Sequence, residues 1–93
     1  MRIQNIILNL LKEYGEELGN EALKNATEGT KIFGAGGNLD SLGLVNFVAD
    51  LEDLLSEALQ KPIVLADEKT MSAKNSPFKD VATLCAFIEG KFL

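Results

Sequence analysis

The residues best suited to chemistry in this chain are Asp40 and Ser41, which stand where a glycine-rich stretch gives way to an apolar helical pattern. Aspartate favours the N-cap position of a helix, and a cap at Asp40 places Ser41 in the first helical turn. The first turn carries unpaired backbone N–H groups and the positive end of the helix dipole, and both attract an anion. A phosphate esterified to the Ser41 hydroxyl would therefore be well placed.

The composition supplies no obvious group that would activate Ser41 as a nucleophile. The chain contains no histidine and one cysteine, Cys85. It therefore has no Ser-His-Asp or Cys-His catalytic pair, no Cys/His zinc site and no internal disulfide. Cys85 falls within an apolar helical pattern, which predicts an inert core thiol. We predict that the chain is not an enzyme, and that any thiol chemistry comes from an added prosthetic group.

The sequence around Ser41 resembles the attachment motif of acyl carrier proteins. The matching run is Leu39-Asp40-Ser41-Leu42-Gly43-Leu44-Val45. The resemblance extends over most of the chain, because an amphipathic helix precedes the motif, an acidic helix begins at the serine and a further helix closes the sequence. It implies that Ser41, flanked by Asp40 and Leu42, carries a covalent 4′-phosphopantetheine arm. A phosphopantetheinyl transferase using coenzyme A and Mg²⁺ would attach this arm.

The resemblance also implies a function. The thiol at the end of the arm would hold acyl intermediates as thioesters and present them to acyl-loading, acyl-transfer or synthase enzymes of fatty-acid, other lipid or specialised acyl biosynthesis. Tethering would raise the effective concentration of the acyl group at each partner's active site. Two alternatives stay open: a carrier of aminoacyl or polyketide groups, and an unmodified helical adaptor in which Ser41 only begins a helix.

Length and hydropathy predict one small domain over residues 1–93, because a second core in 93 residues would bury too little apolar surface. No run approaches the ~20 apolar residues of a membrane span. The apolar start is interrupted by Gln4, Asn5 and Asn9 and is followed by no small-residue cleavage site. We therefore expect a cytoplasmic monomer that does not insert into membranes.

The net charge of −5 argues against nucleic-acid binding, which needs a basic surface. The distribution of the charge is more informative than its size. Residues 32–60 contain five acids and no lysine or arginine, whereas the other residues carry nine acids and nine bases. An ordinary solvated helix face is the alternative explanation. The segregation next to Ser41 predicts partner enzymes with basic docking surfaces.

Apolar spacing predicts three main helices, over residues 3–18, 41–59 and 81–91, with Asp80 as the N-cap of the last. Together they predict an all-α fold, a small antiparallel bundle like that of acyl carrier proteins. The predicted buried residues are Ile3, Ile7, Leu10, Leu11, Tyr14 and Leu18 in the first helix; Leu44, Phe47, Val48, Leu51, Leu54, Leu55, Ala58 and Leu59 in the second; and Val81, Leu84, Cys85, Ile88 and Phe92 in the last.

The connecting segments are less regular. We predict a helical turn near residues 21–25, a flexible glycine-rich approach to Ser41 anchored by Ile32 and Phe33, an extended stretch at 63–65, a short helix at 67–73 and a core position for Phe78. The glycine-rich run lacks the spacing of a phosphate-binding loop. Tyr14 has no evident partner base, so we expect a core-edge aromatic rather than a general acid.

The second helix predicts a docking surface on its exposed side. Val45, Ala49 and Glu52 continue a ridge that begins at Ser41, and Asp53 lies beside it. A partner would pack aliphatic side chains on this ridge and pair arginine or lysine with its acids. Asn46 stands where many family members have glutamate, which implies a different partner preference. An acyl chain inside the bundle would be lined by Leu42, Val48, Leu51, Phe78 and Leu84.

Overall fold

The computed structural model describes residues 2–34, 36–65 and 77–92, and these residues are mostly helical. The helices are α1 (Arg2–Leu18), α2 (Glu21–Lys24), α3 (Ser41–Leu59) and α4 (Val81–Phe92). Within the described ranges there is no β-strand, only an isolated antiparallel bridge between Lys31 and Asp80. The all-α prediction is thereby confirmed at the level of secondary structure. The short helix predicted at 67–73 lies outside the described residues.

The helix boundaries agree closely with the apolar spacing. The span predicted for α3 matches the structure, and α1 and α4 each extend one residue beyond their predicted spans. The predicted turn near 21–25 is α2, whose N-cap Asn20 accepts a hydrogen bond from the Leu23 amide at 3.1 Å. Asp80 caps α4 by accepting from the Thr83 amide at 2.8 Å. Hydrogen bonds from Thr83 hold the pKa of Asp80 below its usual value.

One cluster of buried apolar side chains forms the core, and α1 packs against each of the other three helices. The loops contribute to it as well, through Ile32, Leu39 and Phe78. The buried residues are Ile3, Ile7, Leu10, Leu11, Leu23, Ala26, Ile32, Leu39, Leu44, Phe47, Val48, Leu51, Leu55, Ile63, Leu65, Phe78, Val81, Leu84, Cys85 and Ile88. No helix among the described residues is long and apolar enough to cross a membrane.

Two residues predicted to be buried are exposed. Leu18 is 60% exposed, because it is the last residue of α1 and the chain turns away at Gly19, which has a positive φ of 68°. Leu54 is 40% exposed. It precedes the buried Leu55 and therefore lies about 100° around the helix from it. The predicted core residues Tyr14, Ala58, Leu59 and Phe92 are half-buried.

The contact between α1 and α2 requires a glycine at position 15. A Cβ atom on Gly15 would lie 2.5 Å from the Lys24 nitrogen and 2.8 Å from the Leu23 carbonyl carbon. Both atoms belong to the backbone, so neither can move without displacing α2. The absence of a side chain at position 15 thus permits the close approach of α2 that buries Leu23.

We expect Gly15→Ala to lower the free energy of unfolding by about 1–3 kcal/mol, as overpacking does elsewhere. Gly90→Ala is a matched control, because Gly90 is also helical but a Cβ there would meet no atom within 4 Å. The control should be neutral or stabilising by roughly 0.5–1 kcal/mol, since alanine is the better helix former. Urea unfolding followed by circular dichroism measures both, and equal effects would contradict the assigned contact.

Candidate functional site

Ser41 is the first residue of α3, and its side chain is exposed to solvent. Asp40 caps the helix from extended backbone: its Oδ1 accepts a hydrogen bond from the Gly43 amide at 2.7 Å, as the sequence predicts. The Asp40 carbonyl accepts the first helical bond, from the Leu44 amide at 2.8 Å. These two bonds fix the backbone on either side of Ser41 and leave its hydroxyl facing outward.

The loop before Ser41 is tied to the segment that enters α4. The Ile32 amide donates to the Lys79 carbonyl at 2.9 Å, and the Phe33 amide donates to the Phe78 carbonyl at 3.1 Å. The Leu39 amide in turn donates to the Ile32 carbonyl at 2.9 Å. Ile32 and Leu39 are buried, whereas Phe33 is half-buried. The approach predicted to be flexible is therefore anchored by hydrogen bonds and by buried side chains.

The glycines of this loop allow the chain to make a tight turn. Gly34 and Gly36 have positive φ angles of 92° and 75°. A Cβ atom on Gly37 would lie 2.6 Å from the Cα of Phe33, so the chain doubles back closely on itself. Such a turn needs glycine for steric reasons. It brings the chain back to Leu39, two residues before Ser41.

Within the described ranges, no side chain hydrogen-bonds to the Ser41 hydroxyl. Cys85 is buried in the core, and that burial raises the pKa of its thiol. Among the described residues no group of three or more His, Cys, Asp or Glu side chains could hold a metal ion.

The predicted docking residues share the exposed side of α3, with one difference. Val45, Asn46, Ala49 and Asp53 are exposed, whereas Glu52 is half-buried. Leu42 is 71% exposed, so the expectation that it lines the interior is wrong. The other residues expected to line an acyl-binding interior are all buried; these are Val48, Leu51, Phe78 and Leu84.

Glu52 makes an internal contact that the sequence did not reveal. Its Oε2 accepts a hydrogen bond from the Leu65 amide at 2.6 Å. One turn along the same edge of α3, the Ser56 hydroxyl accepts from the Ile63 amide at 3.1 Å. Ile63 and Leu65 are buried while Val64 between them is 63% exposed, an alternation typical of extended chain. Glu52 and Ser56 therefore hold residues 63–65 against α3.

Tyr14 has a partner that sequence analysis missed. Its hydroxyl donates to Asp50 Oδ2 at 2.6 Å, which joins α1 to α3. Its ring meets the ring of Phe47 edge-on, with centroids 5.8 Å apart. Burial first, then the hydrogen bond and the charge of Asp50, raise the pKa of Tyr14 well above its usual value. The 36 residues between the partners explain why no local pattern indicates the pair.

Comparison with known proteins assigns no family to this arrangement. No protein-family model matches the chain, and neither curated proteins nor solved structures give a significant match.

The raised pKa of Tyr14 can be measured directly, because this is the only tyrosine and the chain has no tryptophan. We expect the near-ultraviolet absorbance of tyrosinate to appear only at a pH well above ~10, the usual pKa of tyrosine. Asp50→Asn should move the transition to lower pH, since the carboxylate disfavours phenolate, while Asp53→Asn should not. Because the folded-state pKa is raised, the corresponding stability is present below pH ~10 and lost as the pH rises above it. A transition unchanged by Asp50→Asn would contradict the pairing.

Glu52→Ala should lower the free energy of unfolding by about 1–2 kcal/mol, because the buried Leu65 amide would lose its carboxylate acceptor. The neighbouring Asp53→Ala removes the same charge from an exposed position and should change stability by less than about 0.5 kcal/mol. Amide hydrogen exchange should be faster at Leu65 in the first variant only. Unchanged exchange at Leu65 would show that Glu52 does not hold this segment.

Proposed function

We propose that this chain is an acyl carrier protein whose Ser41 bears 4′-phosphopantetheine. The observation that carries the proposal is the position of Ser41: an exposed hydroxyl on the first residue of α3, directly after a capping aspartate and within the Asp-Ser-Leu motif. A phosphodiester at this point would lie beside the N-terminal amides of α3, which favour negative charge. The cap occupies the Gly43 amide, and Ser41 is exposed to solvent.

The arrangement of the helices supports the carrier fold. A long helix, α1, precedes the motif; α3 begins at the serine; and α4 closes the described chain. We propose that these three helices form the antiparallel bundle of an acyl carrier protein. The backbone bonds between residues 28–33 and 78–82 hold the loop before α3 beside the start of α4. This agrees with a bundle in which α3 and α4 run in the same direction and both run antiparallel to α1, the helix that contacts each of them.

When bound, the arm would supply a terminal thiol that holds an acyl group as a thioester. The residues of the chain would contribute the attachment point and a surface that partner enzymes recognise. Val45 and Ala49 offer apolar contact on α3, and Asp53 offers an exposed negative charge beside them. A partner with lysine or arginine next to an aliphatic side chain fits this surface.

The partner enzymes, rather than a pocket among the described residues, would determine which acyl group the chain carries. The residues best able to shelter an acyl chain, Val48, Leu51 and Phe78, are fully or almost fully buried in the core. An acyl chain would therefore enter only if these side chains moved apart. Fatty acyl and specialised acyl groups agree equally well with this site, as do aminoacyl and polyketide groups.

Intact-mass spectrometry tests the proposal. The apo chain, incubated with a broad-specificity phosphopantetheinyl transferase, coenzyme A and Mg²⁺, should gain the mass of one phosphopantetheine group. Ser41→Ala should gain nothing, because it lacks the acceptor oxygen. Ser56→Ala is the matched control on the same helix. It should be loaded, because it keeps Ser41 and removes only a hydroxyl that accepts a hydrogen bond from the Ile63 amide. If a transferase that loads a reference carrier leaves the wild-type chain unmodified, a helical adaptor is the better description.

A further inference from the structure

A groove runs between the C-terminal end of α1 and the N-terminal half of α3. It consists of two adjoining cavities of about 380 and 280 Å³ that share Leu18 and Asn46 in their linings. The larger cavity extends along α1, and the smaller reaches Asp40 and Leu42, the neighbours of Ser41. We call this feature the α1–α3 groove. It opens next to the proposed attachment point.

The rim of the α1–α3 groove is apolar in two places. Leu18 on the α1 side is 60% exposed and Leu42 on the α3 side is 71% exposed. Leu18 belongs by its spacing to the buried stripe of α1, yet it contributes to the groove instead. An exposed leucine on each side of the groove offers apolar contact to a side chain that enters it.

The α1–α3 groove is also negatively charged. Glu17, Asp50 and Tyr14 all line the larger cavity, and both carboxylates help to raise the pKa of Tyr14. No lysine or arginine lines either cavity. In the part of the chain that the structure describes, the one ion pair joins Lys24 and Glu21 and lies outside this groove. The carboxylates of Glu17 and Asp50 are therefore not neutralised by a described basic side chain.

We propose that the α1–α3 groove receives a cationic side chain, with an aliphatic side chain beside it, from the enzyme that loads Ser41. The surface recognised by that enzyme then extends from α3 onto α1, through Glu17 and Leu18. Asp50 uses Oδ2 to accept from Tyr14, and its Oδ1 is available to a guanidinium or ammonium group. This inference rests on the proposed carrier function.

Charge favours the loading enzyme over two other possible occupants of the groove, a second copy of this chain and the phosphopantetheine arm itself. A second copy of the chain carries the same net charge of −5 and would be repelled. The phosphodiester of the arm is itself an anion and would be disfavoured between Glu17 and Asp50. A basic enzyme surface is attracted to these carboxylates. Docking in the groove would bring the enzyme into contact with Asp40 and Leu42, the two neighbours of Ser41.

Steady-state kinetics of phosphopantetheine transfer test the inference, with a broad-specificity phosphopantetheinyl transferase and the apo chain as the varied substrate. Glu17→Gln and Leu18→Ser should each raise KM about two- to tenfold with kcat little changed, because each removes a docking contact and no reacting group. Glu16→Gln is the matched charge control on α1, and Val64→Ser is the control for an exposed apolar side chain. Both controls should keep the wild-type KM. The KM of Glu17→Gln should also depend less on salt than that of the wild type.

The outcomes separate this inference from the carrier proposal. If Ser41 is loaded with the same KM in all variants, the groove is not a docking site, and the carrier proposal is unaffected. Equal increases in the groove variants and the controls would also overturn the docking inference, because the effect would not be local. No loading of the wild-type chain would overturn both. Urea unfolding of Leu18→Ser shows whether that variant is folded, and Glu17→Gln tests the groove independently.

Discussion

The structure depends on backbone hydrogen bonding between two loops that are distant in sequence. Residues 28–33 pair with residues 78–82, so the segment leading to α3 and the segment leading to α4 are held side by side. The pairing is stable because Ile32, Leu39 and Phe78 bury their side chains in the core beneath it. Buried amides and carbonyls need partners, and these two loops satisfy each other. Without this contact the loop that leads to Ser41 would lose its attachment to the segment that leads into α4.

From this anchor the site is built by short-range interactions. Asp40 caps α3, the glycines at 34, 36 and 37 turn the chain back toward Leu39, and Ser41 projects into solvent. The acids of α3 then take different roles according to their position around the helix. Glu52 holds the Leu65 amide and Asp50 accepts from Tyr14, so each stabilises a contact between segments. Asp53 is exposed and available to a partner. The acids of α3 thus have two roles: some form hydrogen bonds between segments, and others form part of the exposed surface.

Helix positions and most of the core could be predicted because they follow from local periodicity. A stripe at three- and four-residue spacing must face the interior wherever the helix lies, and Ile7, Phe47 and Leu84 are accordingly buried. Spacing fails at the edges and ends of a stripe. Leu18 and Leu54 satisfy the pattern, yet they lie where no neighbouring element covers them. Periodicity indicates which side of a helix is apolar, but it does not indicate how far the neighbouring elements extend.

The candidate site divides in the same way. The Asp40 cap, the outward Ser41 hydroxyl and the acidic α3 follow from the order of residues along the chain, because capping and helix dipoles act within one turn. The Tyr14–Asp50 bond, the hold of Glu52 on Leu65 and the α1–α3 groove depend on how helices and loops meet in space. These contacts join residues up to 36 positions apart. Local propensity carries no information about such pairs, so they were decided by how helices and loops pack together in three dimensions.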